Sequence, residues 1–309
     1  MQTPRLTPSA YRRITLVAAI FVGVIIVTGG AVRLTGSGLG CPDWPTCQAS
    51  ELIGASQYHQ RIESANRLFT GAVSVAVIVA VLGALVRQPR RRDLTWLSIG
   101  LVGGVLAQIV LGGLTVLFKL RPPFVMAHFL LSMAILADAV VLHHRAGEPD
   151  TGERRLVAPR EVWRMGQLVV VMAGIAIFLG TVVTGSGPHG GDEHVERLPF
   201  LITDVARAHG TSVMLFLAVT LVTLWRLRQA AAPASLLRAG EVLVAVLVAQ
   251  AAVGYTQYFT GVPVVLVGIH IAGAALVWAA ALSFLLQFTT RVAAPVATPH
   301  RSLTEVQPA

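Results

Sequence analysis

Three histidines stand inside long apolar stretches: His128 lies six residues beyond Pro122, His209 five beyond Asp204 and His270 seven beyond Pro263. At about 1.5 Å per helical residue, His128 and His270 sit about 10 Å inside a helix end, and His209 falls in the same layer. An ionisable ring so far inside an apolar stretch is costly, so it marks a functional site before it marks packing. His209 and His270 open two different helices and could face each other across a four-helix bundle. Two opposed imidazoles among apolar side chains suit a heme iron with two axial ligands, whereas zinc needs three or four ligands and these helices offer no third. His59, Glu63 and Asn66 stand at i, i+4 and i+7, on one helix face, with Arg67 one turn beyond Glu63. A carboxyl just inside a membrane boundary needs work or a partner such as Arg67. The other histidines read as solvated: His143, His144 and His300 in basic stretches, His189 and His194 in the segment GSGPHGGDEHVERLPF. Cys41 and Cys47 share one short segment, GCPDWPTC. Outside the cytoplasm such a pair is oxidised, either as a structural disulfide or as a redox-active one.

The elements that must position these residues follow from composition. The chain has 309 residues, 54% hydrophobic and 13% charged, with a mean hydropathy of +0.70. A soluble domain carries about 25% charged residues, so this is an integral membrane protein. Charge-free runs cover Ile14–Val32, Leu68–Val86, Leu94–Phe118, Pro122–Ala137, Met165–Gly191, Ala208–Trp225 and Val242–Thr290. All but Pro122–Ala137 reach the roughly 17–25 residues that span a bilayer, and that one needs only Asp138 absorbed near its inner end. The last run is too long for one helix and breaks at Tyr258–Pro263. Eight spans result, with both termini on one side.

The net charge of +9 would suggest nucleic acid if the basic residues were scattered. They are not: 17 of the 24 Lys and Arg fall on the side of the termini, and seven (Arg33, Arg61, Arg67, Lys119, Arg121, Arg197 and Arg207) on the other. The positive-inside rule puts both termini in the cytoplasm and explains the basicity without nucleic acid. The first run ends in GGAVRLTGSG rather than at a small-residue cleavage site, which reads as a retained helix and not a signal peptide.

Outer loops alternate long and short, and residues repeat with them. Gln108, Gly112 and His128 recur as Gln250, Gly254 and His270, each displaced by 142 positions, and TGSG occurs at Thr35–Gly38 and Thr184–Gly187. The expectation is an all-α membrane protein of eight helices in two pseudo-symmetric four-helix bundles, a 4+4 repeat about an axis along the membrane normal. Residues 1–145 would form the first half, 146–160 a polar cytoplasmic linker, 161–290 the second half and 291–309 a disordered cytoplasmic tail. Gly103, Gly104, Gly112 and Gly113 on the third span would let helices approach closely. His209 aligns with Asn66, so the first half lacks the second intramembrane histidine and the duplication has diverged.

Six segments in the right order carry a family resemblance: GGAVRLTGSGLGCPDWPTC, IESANR, AHFLLSM, TGSGPHGGDEHVERLPF, ARAHG and QYFTGVPVVLVGIHIAGAALVWAA. Together they resemble the heme A synthase family from the end of the first span to the last. That resemblance implies a multi-pass cell-membrane oxidoreductase acting in cytochrome oxidase assembly. Its reaction would take the C8 methyl of heme O to the formyl of heme A through successive hydroxylations with water-derived oxygen. It implies a heme b cofactor on His209 and His270 in the second half and substrate heme O in the first half, with His128 at its iron. The family's catalytic glutamate falls on Glu63, and the cysteine pair of one of its branches on Cys41 and Cys47. The family pattern has a histidine three residues after that glutamate, where this chain has Asn66. Either His128 alone binds the substrate iron, or His59 substitutes. Propionates would reach outer arginines such as Arg33 or Arg67. Heme O synthase and an electron acceptor are the partners such an enzyme implies, besides membrane lipid. A two-heme electron carrier without turnover is the alternative. A solute transporter is the other rival, which a 4+4 repeat permits but which would show interrupted helices.

Overall fold

The structure, a computed structural model, describes residues 5–41, 43–47, 54 and 57–292. Eight helices follow in order: α1 Pro8–Leu34, α2 Tyr58–Val86, α3 Arg92–Leu117, α4 Pro122–Ala146, α5 Arg160–Ser186, α6 Ile202–Gln229, α7 Ala234–Phe259 and α8 Val264–Leu286. Each is long and apolar enough to cross a membrane. Proline sets many of the starts. Pro8 and Pro122 sit in the first turns of α1 and α4, and Pro159, Pro233 and Pro263 cap α5, α7 and α8. A fixed φ and a missing N–H cost nothing where the first amides have no helical acceptor. Thr7 adds a side-chain cap to α1, accepting from the Ala10 amide at 3.2 Å. Asp138 is absorbed within α4, and the break at Tyr258–Pro263 separates α7 from α8, so the all-α, eight-span expectation holds.

The helices pack as two rings. Within α1–α4 each helix touches the next and α1 closes on α4; α5–α8 do the same, α8 closing on α5. The seam between the rings is formed by α1 and α4 against α8, with α4 also touching α5. Each ring has its own core: Val22, Val77, Leu101 and Leu136 belong to one, Val169, Phe216, Leu243 and Phe284 to the other. Trp278 of α8 packs against both cores and donates its indole N–H across the seam to the Met133 carbonyl at 2.9 Å. Large apolar side chains such as Leu82, Leu106, Phe178 and Leu276 face outward, as lipid-facing positions require.

Matching positions of the two halves share local geometry that their residue types hide. The α3–α4 turn holds Lys119 and Leu120 at φ 54° and 56°, and the α7–α8 turn holds Gly261 and Val262 at φ 79° and 59°. In each, the second of these residues donates its amide five positions back: Leu120 to the Thr115 carbonyl at 2.9 Å and Val262 to that of Gln257 at 2.7 Å. These left-handed residues satisfy the last helical carbonyls.

Not every glycine expected to admit a helix does so. Gly104 faces Ile135 of α4 and Gly112 faces the His128 ring, but Gly113 receives the Trp44 indole of the Cys41–Cys47 loop, and Gly103 meets no atom of the described residues within 4 Å. Gly103 points away from the bundle, where glycine serves no approach.

At the end of the bundle that holds α1's start and α8's finish, the expected linker contains strand β1, Glu153–Leu156, paired antiparallel with β2, Thr289–Val292, from Glu153 opposite Val292 to Leu156 opposite Thr289. Residues 291 and 292, expected in the tail, therefore belong to a sheet. Its ladder and the Arg291 guanidinium, which donates to the Pro149 and Asp150 carbonyls at 3.3 Å, hold them. The remainder of the expected tail lies outside the described residues. Beside the sheet, Arg87 pairs with Asp150, Arg91 with Asp93 at 2.7 Å and with Glu148 at 3.6 Å, and Arg154 with Glu148 at 2.6 Å. Arg87 is almost wholly buried. Burial pushes the Glu148 carboxyl up, but the hydrogen bond and charge of Arg154 outweigh it and hold the group below the usual glutamate range.

Candidate functional site

In the second half, His209 of α6 and His270 of α8 oppose each other, ring centroids 6.3 Å apart and planes at 80°. Each ring lies against a glycine on a neighbouring helix. A Cβ at Gly180 would stand 3.3 Å from the His209 ring, and one at Gly254 3.0 Å from that of His270. His209 Nδ1–H donates to the Ala176 carbonyl of α5 at 3.0 Å, which fixes its tautomer and leaves Nε2 with a free lone pair. His270 Nδ1 is buried without a partner, and Gln250 Nε2 donates to the His270 carbonyl at 2.7 Å.

These observations test whether the pair fits a heme. A metal–nitrogen bond of about 2.0 Å, plus roughly 1.1 Å from ring nitrogen to ring centre, puts two axial imidazoles about 6 Å apart across one iron. The observed separation agrees. Among the described residues no group of three or more His, Cys, Asp or Glu could hold a bare metal ion.

The first half repeats part of this. Gln108 Nε2 donates to the His128 carbonyl at 2.9 Å and to Ser132 Oγ at 2.6 Å, Gly112 lies against the imidazole, and His128 Nδ1 is buried without a partner. At the position matching His209, Asn66 Oδ1 instead accepts from Thr28 Oγ1 of α1 at 2.8 Å. Both halves therefore tie this position of their second helix to their first helix, one through an amide and the other through an imidazole.

Glu63 is the buried carboxylate among the described residues of this half, 5% exposed. Its Oε2 accepts from the Cys41 backbone N–H at 2.7 Å, and its Oε1 from Arg67 Nη2 at 2.5 Å and Nε at 3.1 Å. Arg67 also donates to the carbonyls of Asp43 at 3.2 Å and Thr46 at 3.3 Å. Cys41 and Cys47 are joined in a disulfide, so the loop they close rests on Glu63 and Arg67. The same loop lays Trp44 on Gly113, adjacent to the glycine that receives His128. Salt-bridged and bonded to an amide, Glu63 is set up as an oriented carboxylate. Removing Arg67 would leave it uncompensated, which costs about 3–5 kcal/mol at a buried site.

The structure thus gathers His209 with His270, and Glu63 with Arg67, Cys41 and Cys47. It does not gather His59 with them: that exposed side chain is hydrogen-bonded to Ser37 Oγ at 2.9 Å, two helical turns outward of Asn66. Sequence reasoning missed Gly180, Thr28 and Trp44. Gly180 has no repeat partner to mark it, and the other two matter only through packing.

A family model described as "Cytochrome oxidase assembly protein" (COX15-CtaA) matches residues 12–188. Relatives named heme A synthase include that of Bacillus pumilus, 31% identical over 181 residues, covering 55% of this chain and 58% of the relative. That of Geobacillus kaustophilus is 32% identical over 112 residues, covering 35% and 34%, and that of Shewanella oneidensis 29% identical over 191 residues, covering 56% and 54%. The chain thus spans between a third and three fifths of the length of these relatives. With eight apolar helices around paired intramembrane histidines, and with more than half of its residues under the family model, the chain belongs to the cytochrome oxidase assembly protein family.

Proposed function

We propose that this chain is a heme A synthase, oxidising the C8 methyl of heme O to a formyl group by successive hydroxylations with oxygen from water. The observation that carries the reading is the difference between the halves. One opposes two imidazoles 6.3 Å apart; the other has a lone intramembrane histidine, His128, and a buried, oriented Glu63. A site saturated by two ligands suits a permanent heme b. A less saturated site suits a substrate that must enter and leave.

On this reading His209 and His270 hold heme b, which supplies one-electron transfer when bound. His128 holds the iron of heme O, with Asn66 beside it. His59 serves the outer rim and is not a ligand, because it is bonded to Ser37 and lies two turns from Asn66. Arg67 acts on substrate only through Glu63 and the loop, since its donors point there. Glu63, oriented by Arg67 and the Cys41 amide, takes a proton or stabilises positive charge near the oxidised methyl. Residues 1–145 and 161–290 are the substrate and cofactor halves of a duplicated 4+4 bundle, with both termini cytoplasmic. A membrane acceptor would take the electrons released by the oxidation, and heme O synthase would supply the substrate.

Heme extraction from membranes that contain heme O and this chain, followed by product analysis, tests the proposal. Heme A is expected with the wild-type chain and is expected to be lost with Glu63→Ala, while the cofactor spectrum is retained. Unaltered heme O with a bound, redox-active heme pair would overturn the enzyme reading in favour of an electron carrier.

A further inference from the structure

Arg33 closes α1 in the first half, yet its guanidinium belongs to the second: Nη2 donates to the Thr184 carbonyl in the last turn of α5 at 2.8 Å. Thr184 lies one turn outward of Gly180, the glycine against the His209 ring. The α1 face below Arg33 packs on α8, Gly30 against Ile271, the neighbour of His270. Arg33 therefore sits over the His209–His270 pair, about 6 Å outward along the helix axis.

No carboxylate of the described residues lies within ion-pair distance of Arg33 or Arg197. Arg33 Nε is buried without a hydrogen-bond partner, and the charged group acting on Arg33 is a second cation, Arg197. Two adjacent glycines bring them together, Gly191 against the Arg33 stem and Gly190 against the Arg197 guanidinium. The nearby acids face elsewhere: Asp192 accepts from the His194 amide and Glu196 pairs with Arg121. Two guanidinium groups, Arg33 half-buried and Arg197 exposed, that are brought together without an anion are uncompensated, and a planar carboxylate is what their donor forks match.

We propose that Arg33 and Arg197 form a carboxylate site at the outer seam, which takes the propionates of the heme held by His209 and His270. The inference rests on the cofactor reading above. It makes a residue of the substrate half a direct contact of the cofactor, so the seam tunes the cofactor's redox potential.

The test is the midpoint potential of the copurified heme in Arg33→Gln, Arg197→Gln and Arg33→Lys, with binding of heme b and its dimethyl ester to heme-stripped protein. A cation beside the propionates disfavours the oxidised heme. Arg33→Gln should therefore keep the low-spin spectrum and lower the reduced-to-oxidised ratio at fixed potential about tenfold, about 59 mV for one electron. Arg33→Lys should restore most of the shift. Wild-type protein should bind the free acid more tightly than the diester, and either Gln variant should lose that preference. Should Arg33→Gln not fold, the exposed Arg197→Gln and the wild-type comparison of acid with ester still decide. Equal affinity of wild-type protein for acid and ester, or unchanged potentials in both Gln variants with heme fully bound, overturns the site. A heme unaffected by His270→Ala overturns the cofactor reading instead, and this inference with it.

Discussion

The backbone N–H of Cys41 and the carboxylate of Glu63 are hydrogen-bonded at 2.7 Å, so a disulfide cysteine in the loop between α1 and α2 directly orients a buried acid of α2. Loop and acid form one unit, in which Arg67 bonds to both.

Opening the disulfide should therefore be felt at Glu63. Closing so short a loop is worth on the order of 2 kcal/mol in the chain-entropy view. The Cys41→Ser/Cys47→Ser double variant keeps the amide but frees its position. Heme A yield is expected to fall roughly three- to tenfold, less than in Glu63→Ala, with the second-half heme unchanged. Extracted heme ratios check it; a yield equal to wild type would show that the loop does not position the acid.

If His209 and His270 hold heme b as proposed, His209→Ala and His270→Ala should each abolish the low-spin heme spectrum or convert it to high spin, because either would remove one of two ligand nitrogens. His128→Ala should leave that spectrum intact and abolish heme O retention, and His59→Ala should alter neither the spectrum nor heme O retention. Optical spectra of the four purified variants decide. Loss of heme O binding in His59→Ala would restore it as a ligand.

The clamp of ion pairs beside the β1–β2 sheet should be acid-sensitive through Glu148. Its carboxyl is held below the ordinary glutamate value, so its contribution is fully present above the unfolded pKa of about 4.3 and is lost as pH falls through the lower folded value. Thermal stability in detergent should be flat in this respect above about pH 5 and decline below about pH 4.3. Glu148→Gln should be less stable at neutral pH and should flatten that acid slope. An identical acid slope in the variant would remove Glu148 from the clamp.

Cysteines introduced at Arg90 and His194 should label from opposite sides of an intact membrane, since most basic residues lie on the Arg90 side. Both native cysteines are in the disulfide and give no background. Equal accessibility of the two sites would refute the eight-span orientation.

What could be read from the residues alone was whatever depends on local order along the chain. Apolar runs bounded by charge give the eight spans, the basic residues give an orientation, and a constant offset links Gln108 and His128 to Gln250 and His270. Span and histidine depth follow from helix rise, which needs no tertiary information. Packing alone decided the rest. Strand β1 pairs with β2 across more than 130 residues, and neither has a pattern that marks a strand in isolation. Gly180 reads as one small residue among many until α6 brings His209 against it, and Trp44 as a loop aromatic until it lands on Gly113. Arg33 belongs to the first half by position, and only the seam gives its guanidinium to the second. Side chains at helix ends and in loops are long and free to turn, so their partners are set by which helices close into a ring and not by spacing along the chain.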